Sequence, residues 1–110
     1  MLSNETNDAV VVLTTAGSEA EASNIARALV ERKLAACVNL VPGVRSIYAW
    51  QGEICDDSEV LLVSKTTRAR FDALAAAIRE LHSYNVPEIV ALSASEVDDA
   101  YAAWLTEAVR

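Results

Sequence analysis

The stretch LAACVNLVPGVRSIYAWQGEICDDSEVLLVSKTT, residues 34–67, decides the fold. It reads as one long β-hairpin: an apolar strand running to Trp50, a turn at Gln51-Gly52, and a return strand over residues 53–65. A two-residue loop ending in glycine between runs of Val, Ile, Tyr and Trp is a strong hairpin signal. With about 13 residues per arm and roughly 3.3 Å per residue, the hairpin spans about 45 Å. A domain of this length is only about 35 Å across, so the tip is expected to project beyond its own body. The projecting part carries Ile47, Tyr48, Trp50 and Ile54. An exposed apolar strand edge of this kind is an aggregation hazard unless it is covered. The arm therefore predicts that other copies of the chain cover it, with these four residues at the interface.

Pro42-Gly43 interrupts the first arm. Proline donates no ladder hydrogen bond and glycine weakens a strand, so the pair predicts a bulge on an edge strand. A turn at Gln51-Gly52 pairs residues whose numbers sum to about 103, so Cys55 faces Tyr48 and Cys37 faces the region of Thr66. The two cysteines then lie roughly 30 Å apart along the ladder, far beyond the Cα separation of about 7 Å that a disulfide tolerates. Two reduced thiols suit a reducing compartment, and the chain is expected in the cytoplasm.

Working outward, Val10-Val11-Val12-Leu13 is a continuous β-branched run, the pattern of a strand buried on both faces. Ser18 with Glu21 three residues on reads as a capping box. Ala22, Ile25, Ala26, Leu29 and Val30 follow as one helical stripe. Val60-Leu61-Leu62-Val63, in the return arm, is a second central strand. Thr66 or Thr67 is the expected cap of the next helix, whose apolar face is Phe71, Leu74, Ile78 and Leu81, and Pro87 stops it. Residues 88–94 read as a last strand. Ser95 with Asp98 resembles a further cap, leading to a terminal helix with Val97, Tyr101, Trp104, Leu105 and Ala108 on one side.

The order β-α-β-β-α-β plus a helix is the split βαβ, or ferredoxin-like, α+β plan. Right-handed crossovers put residues 10–13 and 60–63 in the middle of the sheet. The chain of 110 residues, 53% hydrophobic, has room for one core. We read residues 1–7 as a frayed tail and residues 8–110 as one domain. A net charge of −7 argues against nucleic acid and against anionic membrane surfaces as partners. No signal segment or membrane-spanning run is recognisable.

No catalytic constellation stands out. His82, the one histidine, sits at the end of the second helix, where such a residue is ordinarily a surface group complementing the helix dipole; a ligand or general-base role would need a partner such as Tyr84 or Glu88. Cys37 and Cys55 are soft-metal donors by type, but no C-x-x-C and no histidine pair accompanies them. Cys37, on an apolar strand, reads first as a small hydrophobe. Cys55 lies beside Asp56-Asp57 near the tip, where charge is ordinarily solvated. Glu59 and Lys65 flank the Val60–Val63 run and point to one side by alternation, as a functional pair or as a structural ion pair.

Ala36-Cys37-Val38-Asn39, Pro42-Gly43, Ser46, Tyr48, Trp50, Gly52, Glu59, Lys65-Thr66 and His82-x-Tyr84-x-x-Pro87-Glu88 together resemble the CutA family, the divalent-cation tolerance proteins. The resemblance extends from Val10 to Leu105. It implies a homotrimer of ferredoxin-like subunits whose hairpins pair around a three-fold axis, an architecture similar to that of the PII signalling proteins. It also implies clefts between subunits, here with Glu59, Lys65, Tyr84 and Glu88 as lining candidates. Copper(II) or another divalent cation is implied as a ligand, with no required cofactor and no enzymatic reaction. Thr14 and Leu81 stand where some copper-binding members have a cysteine and a second histidine, so the metal candidates here are His82 and Cys37. Two alternatives accompany this reading: a PII-like small-molecule sensor, and an acylphosphatase-like hydrolase using the turn over residues 14–18, against which stands the position of Arg27, the nearest arginine in sequence, two or more turns inside the helix.

Overall fold

The computed structural model describes residues 8–110; the expected tail at residues 1–7 lies outside them. Four strands and three α-helices alternate as β1 (Ala9–Ala16), α1 (Glu19–Glu31), β2 (Cys37–Trp50), β3 (Glu53–Thr67), a 3-10 turn (Arg68–Arg70), α2 (Phe71–Leu81), β4 (Val90–Ser93) and α3 (Asp99–Ala108). The sheet order is β2-β3-β1-β4 with every neighbouring pair antiparallel. This is the ferredoxin-like arrangement, with the two continuous apolar runs in the centre.

The hairpin sets the shape. Trp50 pairs with Glu53 across a turn in which Gln51 and Gly52 both have positive φ, 51° and 83°. That turn class matches the right-handed twist of its strands. The molecule measures 49 × 25 × 23 Å, the long dimension reflecting the arm. The register slips between Val41 and Val44, with Gly43 at φ 75°, which is the bulge predicted at Pro42-Gly43 on an edge strand. Cys37 faces Lys65, one residue from the expected partner because of that bulge, and Cys55 faces Tyr48; both thiols are free.

One face of the sheet is closed by α1 and α2. Val10, Val12, Ala16 and Leu62 from the strands meet Ile25, Leu29, Leu74 and Ile78 from the helices, all of them buried. Each large side chain so buried contributes about 1.5–3 kcal/mol of transfer free energy. The opposite face departs from the expected double burial. Val11, Leu13, Leu61 and Val63 are only half-buried, and Val90 and Leu92 of β4 are 46% and 51% exposed. The physical reason is the placement of α3. It covers one corner, where Leu105 and Val109 pack on Ala9 and Ala36, and leaves the rest of that face uncovered by this chain.

Local differences have local causes. Val30, expected in the α1 stripe, lies on its flank and is 44% exposed. Ser18 caps α1 by accepting from the Glu21 N–H at 3.1 Å, but the Glu21 carboxylate accepts from Ser83 N–H instead of closing a capping box. Neither threonine caps α2. Thr66 is fully buried in β3 and donates to the Leu34 carbonyl, Thr67 makes no side-chain cap bond, and a 3-10 turn precedes the helix. Asp98, not Ser95, caps α3 by accepting from Tyr101 N–H. Tyr101 and Trp104 face outward and pack against each other with tilted rings, because Ala102, Leu105 and Val109 take the inner side.

Candidate functional site

α2 ends at Leu81, and His82 turns the chain into extended backbone at φ −82°, ψ 144°. The following segment, residues 83–89, passes the end of β1 before entering β4. His82 is therefore no surface residue, correcting the expectation for a helix end. Its side chain is fully buried, with Nε2 2.7 Å from the Thr15 carbonyl oxygen and Nδ1 accepting from Tyr84 N–H at 3.1 Å. An amide N–H points at a lone pair, so Nδ1 carries no proton here and Nε2 is the donor to Thr15. Both ring nitrogens are thus committed to backbone.

Glu21 completes this clasp. Its carboxylate accepts from Ser83 N–H at 2.7 Å and lies 3.6 Å from His82 Nδ1. Burial would raise the Glu21 carboxyl, but the hydrogen bonds it accepts from Ser83 outweigh it and hold the group below its ordinary range. Four segments, namely the end of β1, the start of α1, the end of α2 and the segment after it, are joined by these contacts.

Tyr84, held by its amide, reaches across to β3. Its hydroxyl donates to Glu59 Oε2 at 2.6 Å. Burial first, and then the Glu59 carboxylate, push the Tyr84 phenol well above its ordinary range. Gly17 is what lets the ring pass: a Cβ there would stand 3.3 Å from the Tyr84 hydroxyl. Glu59 is only 6% exposed. It forms the floor of a cavity of about 590 Å³ that runs along the arm, lined also by Thr15, Tyr48, Trp50, Tyr84, Asn85 and Glu88. The Tyr48 hydroxyl donates to Asp57 at 2.5 Å, and this bond holds its phenol above the ordinary range.

Of the cleft candidates, Glu59, Tyr84 and Glu88 come together, and the interface candidates Tyr48, Trp50 and Ile47 stand at the same cavity. Lys65 does not. It shares a strand with Glu59 but lies six residues along β3, about 20 Å away, with its ammonium donating to Asn39 Oδ1. The ion-pair alternative for Glu59 and Lys65 fails on the same distance. The metal candidates are also separated. Cys37 pairs with Lys65, which pairs with Val11, whereas His82 meets Thr15 four residues farther along β1. Two strands across and four residues along is about 15 Å. Among the described residues no three His, Cys, Asp or Glu side chains gather to hold a metal ion. Ile47, Tyr48, Trp50 and Ile54 are 64, 41, 49 and 76% exposed in the single chain.

Thr15, Gly17, Glu21, Asn85 and Asp57 were missed as contributors. Glu21 had a signal, its position three residues after a capping serine, but that signal pointed to a local role. The use of a backbone carbonyl at Thr15 leaves no trace in side-chain type.

The chain resembles proteins whose names share one theme. It is 55% identical to the divalent-cation tolerance protein CutA of Thermus thermophilus over 97 residues, 88% of this chain and 94% of that one. A solved structure of the Thermus thermophilus protein superposes with a TM-score of 0.90, covering 93% of this chain and 99% of that one. The chloroplastic CutA of Arabidopsis thaliana is 38% identical; the match covers 98% of this chain but 59% of that longer protein. The structure of a periplasmic divalent cation tolerance protein CutA from Archaeoglobus fulgidus is 33% identical with a TM-score of 0.90, covering 93% of this chain and 99% of that one. Family members thus occupy different compartments. Residues 10–108 match the model of the CutA1 divalent ion tolerance proteins, and the chain belongs to that family.

Proposed function

We propose that the protein is a homotrimeric binding module, not a catalyst, that acts in tolerance of divalent cations such as copper, and that its ligand site is the cleft over Glu59. The observation that carries this reading is the cavity along an arm whose apolar residues have no cover within the chain. The half-covered sheet face supports assembly, because a contiguous apolar surface of this kind marks an interface. Neighbouring arms then turn the cavity into a cleft between subunits. The lining carboxylates Glu59 and Glu88 favour a cation, and no Lys or Arg is among the lining residues. His82 and Cys37 no longer form a metal pair in this proposal; a divalent ion would draw on Glu59 and Glu88 with donors from neighbouring subunits. The free thiols support a cytoplasmic setting, and no helix among the described residues is long and apolar enough to cross a membrane.

The alternatives fare less well. A nucleotide sensor of PII type would need cations for phosphates, which the lining lacks. An acylphosphatase-like anion site at the turn over residues 14–18 meets the Tyr84 hydroxyl and the Glu21 carboxylate beside Gly17.

The test combines mass by light scattering with calorimetric titration of Cu(II) and Zn(II). We expect a trimer that shifts to monomer or aggregate in Trp50→Ala. Saturable metal binding should be lost in Glu59→Gln and kept in Cys37→Ser. A monomeric wild type, or metal binding that survives Glu59→Gln, would overturn the respective half of the proposal.

A further inference from the structure

The cavity is built for more than a bare ion. Glu59 is 94% buried, and only one of its carboxylate oxygens, Oε2, is occupied, by the Tyr84 hydroxyl. Its other oxygen has no hydrogen-bond partner among the described residues, and Glu59 lines the cavity. That oxygen is not among the sealed, unpartnered polar atoms of the core, so it stays open to the cavity, where a cation can pair with it in surroundings that screen charge less than bulk water does. The second carboxylate, Glu88, adds to the negative potential, and no lining residue opposes it.

The walls decide between kinds of cation. A small divalent ion needs several oxygen or nitrogen donors converging at about 2.0–2.6 Å, and at this cavity one chain supplies only two carboxylates, so such an ion depends on donors from neighbouring subunits. The remaining surface is largely aromatic: Tyr48, Trp50 and Tyr84 all line the space, together with Val86. Ring faces attract cations whose hydration is weak and whose charge is spread over carbon-bearing substituents, Trp most strongly. The volume falls within the range of about 300–1,000 Å³ typical of small-molecule sites. The phenols stay protonated and neutral, Tyr84 by burial and its contact with Glu59, so the rings present undiminished faces and two hydroxyl dipoles already turned toward carboxylates.

We infer that the Glu59 cavity binds a small organic ammonium cation, its charge against Glu59 and Glu88 and its alkyl groups among Tyr48, Trp50 and Tyr84. The inference rests on the reading of this cleft as the ligand site and narrows the class of ligand. A divalent metal would compete for the same carboxylates.

Trp50 supplies the readout. Trp104, the only other tryptophan, is on the outer side of α3, so Trp104→Phe leaves emission that reports the cavity. In that background, with EDTA present, the protein is titrated with choline and with 3,3-dimethylbutan-1-ol, its uncharged carbon isostere. The expected result is saturable quenching by choline at least tenfold tighter than by the alcohol. Glu59→Gln, which keeps the shape and an acceptor for Tyr84, should lose at least tenfold of that preference. Equal binding of the two compounds, or no saturable change with choline, overturns the inference. A parallel EDTA-free titration with Cu(II) separates the two levels: metal binding that Glu59→Gln abolishes, with no response to choline, sinks the ammonium assignment and leaves the cleft reading standing. Silence toward both removes both.

Discussion

The hydroxyl of Tyr84 donates to Glu59 Oε2 at 2.6 Å, tying the segment after α2 to the central strand β3 across 25 residues of sequence. This bond closes the floor of the cavity and anchors the His82 clasp to the sheet. Hydrogen bonds to a charged partner contribute about 1.5–3 kcal/mol, and more is lost when the buried partner is left unsatisfied. Tyr84→Phe is therefore expected to lower unfolding stability by about 2 kcal/mol in urea titrations. The cavity should also lose its shape, and binding at Glu59 should weaken with it. A change within about 0.5 kcal/mol would mean that water replaces the phenol without cost.

Gly17 is the tolerance on which that bond depends. Its backbone is compatible with alanine, but a Cβ would come to 3.3 Å from the Tyr84 hydroxyl and force the ring to shift by a few tenths of an ångström. Gly17→Ala should cost less than about 1 kcal/mol of stability while weakening cleft binding several-fold. A calorimetric comparison with Tyr84→Phe checks this ordering.

Two hydroxyls stand out inside the core. Thr14 Oγ1 and Ser64 Oγ are buried on the helix-covered face and find no hydrogen-bond partner among the described residues. An unpaired buried hydroxyl costs about 1–3 kcal/mol, so an apolar isostere removes a penalty. Thr14→Val should raise Tm, by an amount equivalent to about 1 kcal/mol, and Ser64→Ala should be neutral or mildly stabilising. A fall in Tm for both would reveal an internal water bound between them.

The acid limb of stability should carry the signature of Glu21. Its folded-state pKa lies below the ordinary 4.5, so the unfolded chain takes up the proton first. The contribution is complete above about 4.5 and is lost as the pH falls through that value toward the lower folded pKa. Glu21→Gln should flatten this part of the stability profile and leave its slope at neutral pH unchanged. Thermal melts from pH 7 down to pH 3 give the comparison.

The hairpin, the central strands and the order of elements were legible because they rest on patterns with a fixed period. Val10–Leu13 and Val60–Val63 do take the central strands, although the double burial their continuous pattern implied holds on one face only, and Pro42-Gly43 is the edge bulge. The candidate site was legible in part. Glu59, Tyr84 and Glu88, the candidates for a cleft between subunits, line one cavity of the single chain. What pattern could not give was distance along an element: alternation put Lys65 on the same side as Glu59 but not near it. Nor could it give the competition for His82, whose two nitrogens are taken by Thr15 and Tyr84 backbone. Side-chain type reveals a ligand, and only geometry reveals that its lone pair is already used. The caps failed for a related reason. Thr66 and Glu21 had the right chemistry for helix ends, and tertiary partners outbid the local ones.

The bulge at Pro42-Gly43 has an effect on the arm that its bend alone does not describe. Side chains along a strand alternate, and one extra residue inverts the phase of everything beyond it. Val41 opposite Leu61 and Val44 opposite Glu59 share a face although an odd number separates them. From there Ser46, Tyr48 and Trp50 take the side of Glu59, and Arg45, Ile47 and Ala49 take the reverse. Deleting Gly43 would preserve nearly every residue of the arm and exchange its two surfaces. The bulge works as a frame mark: the body of the sheet and the arm are written in opposite phases, and this single insertion decides which face of the arm is delivered to the cavity.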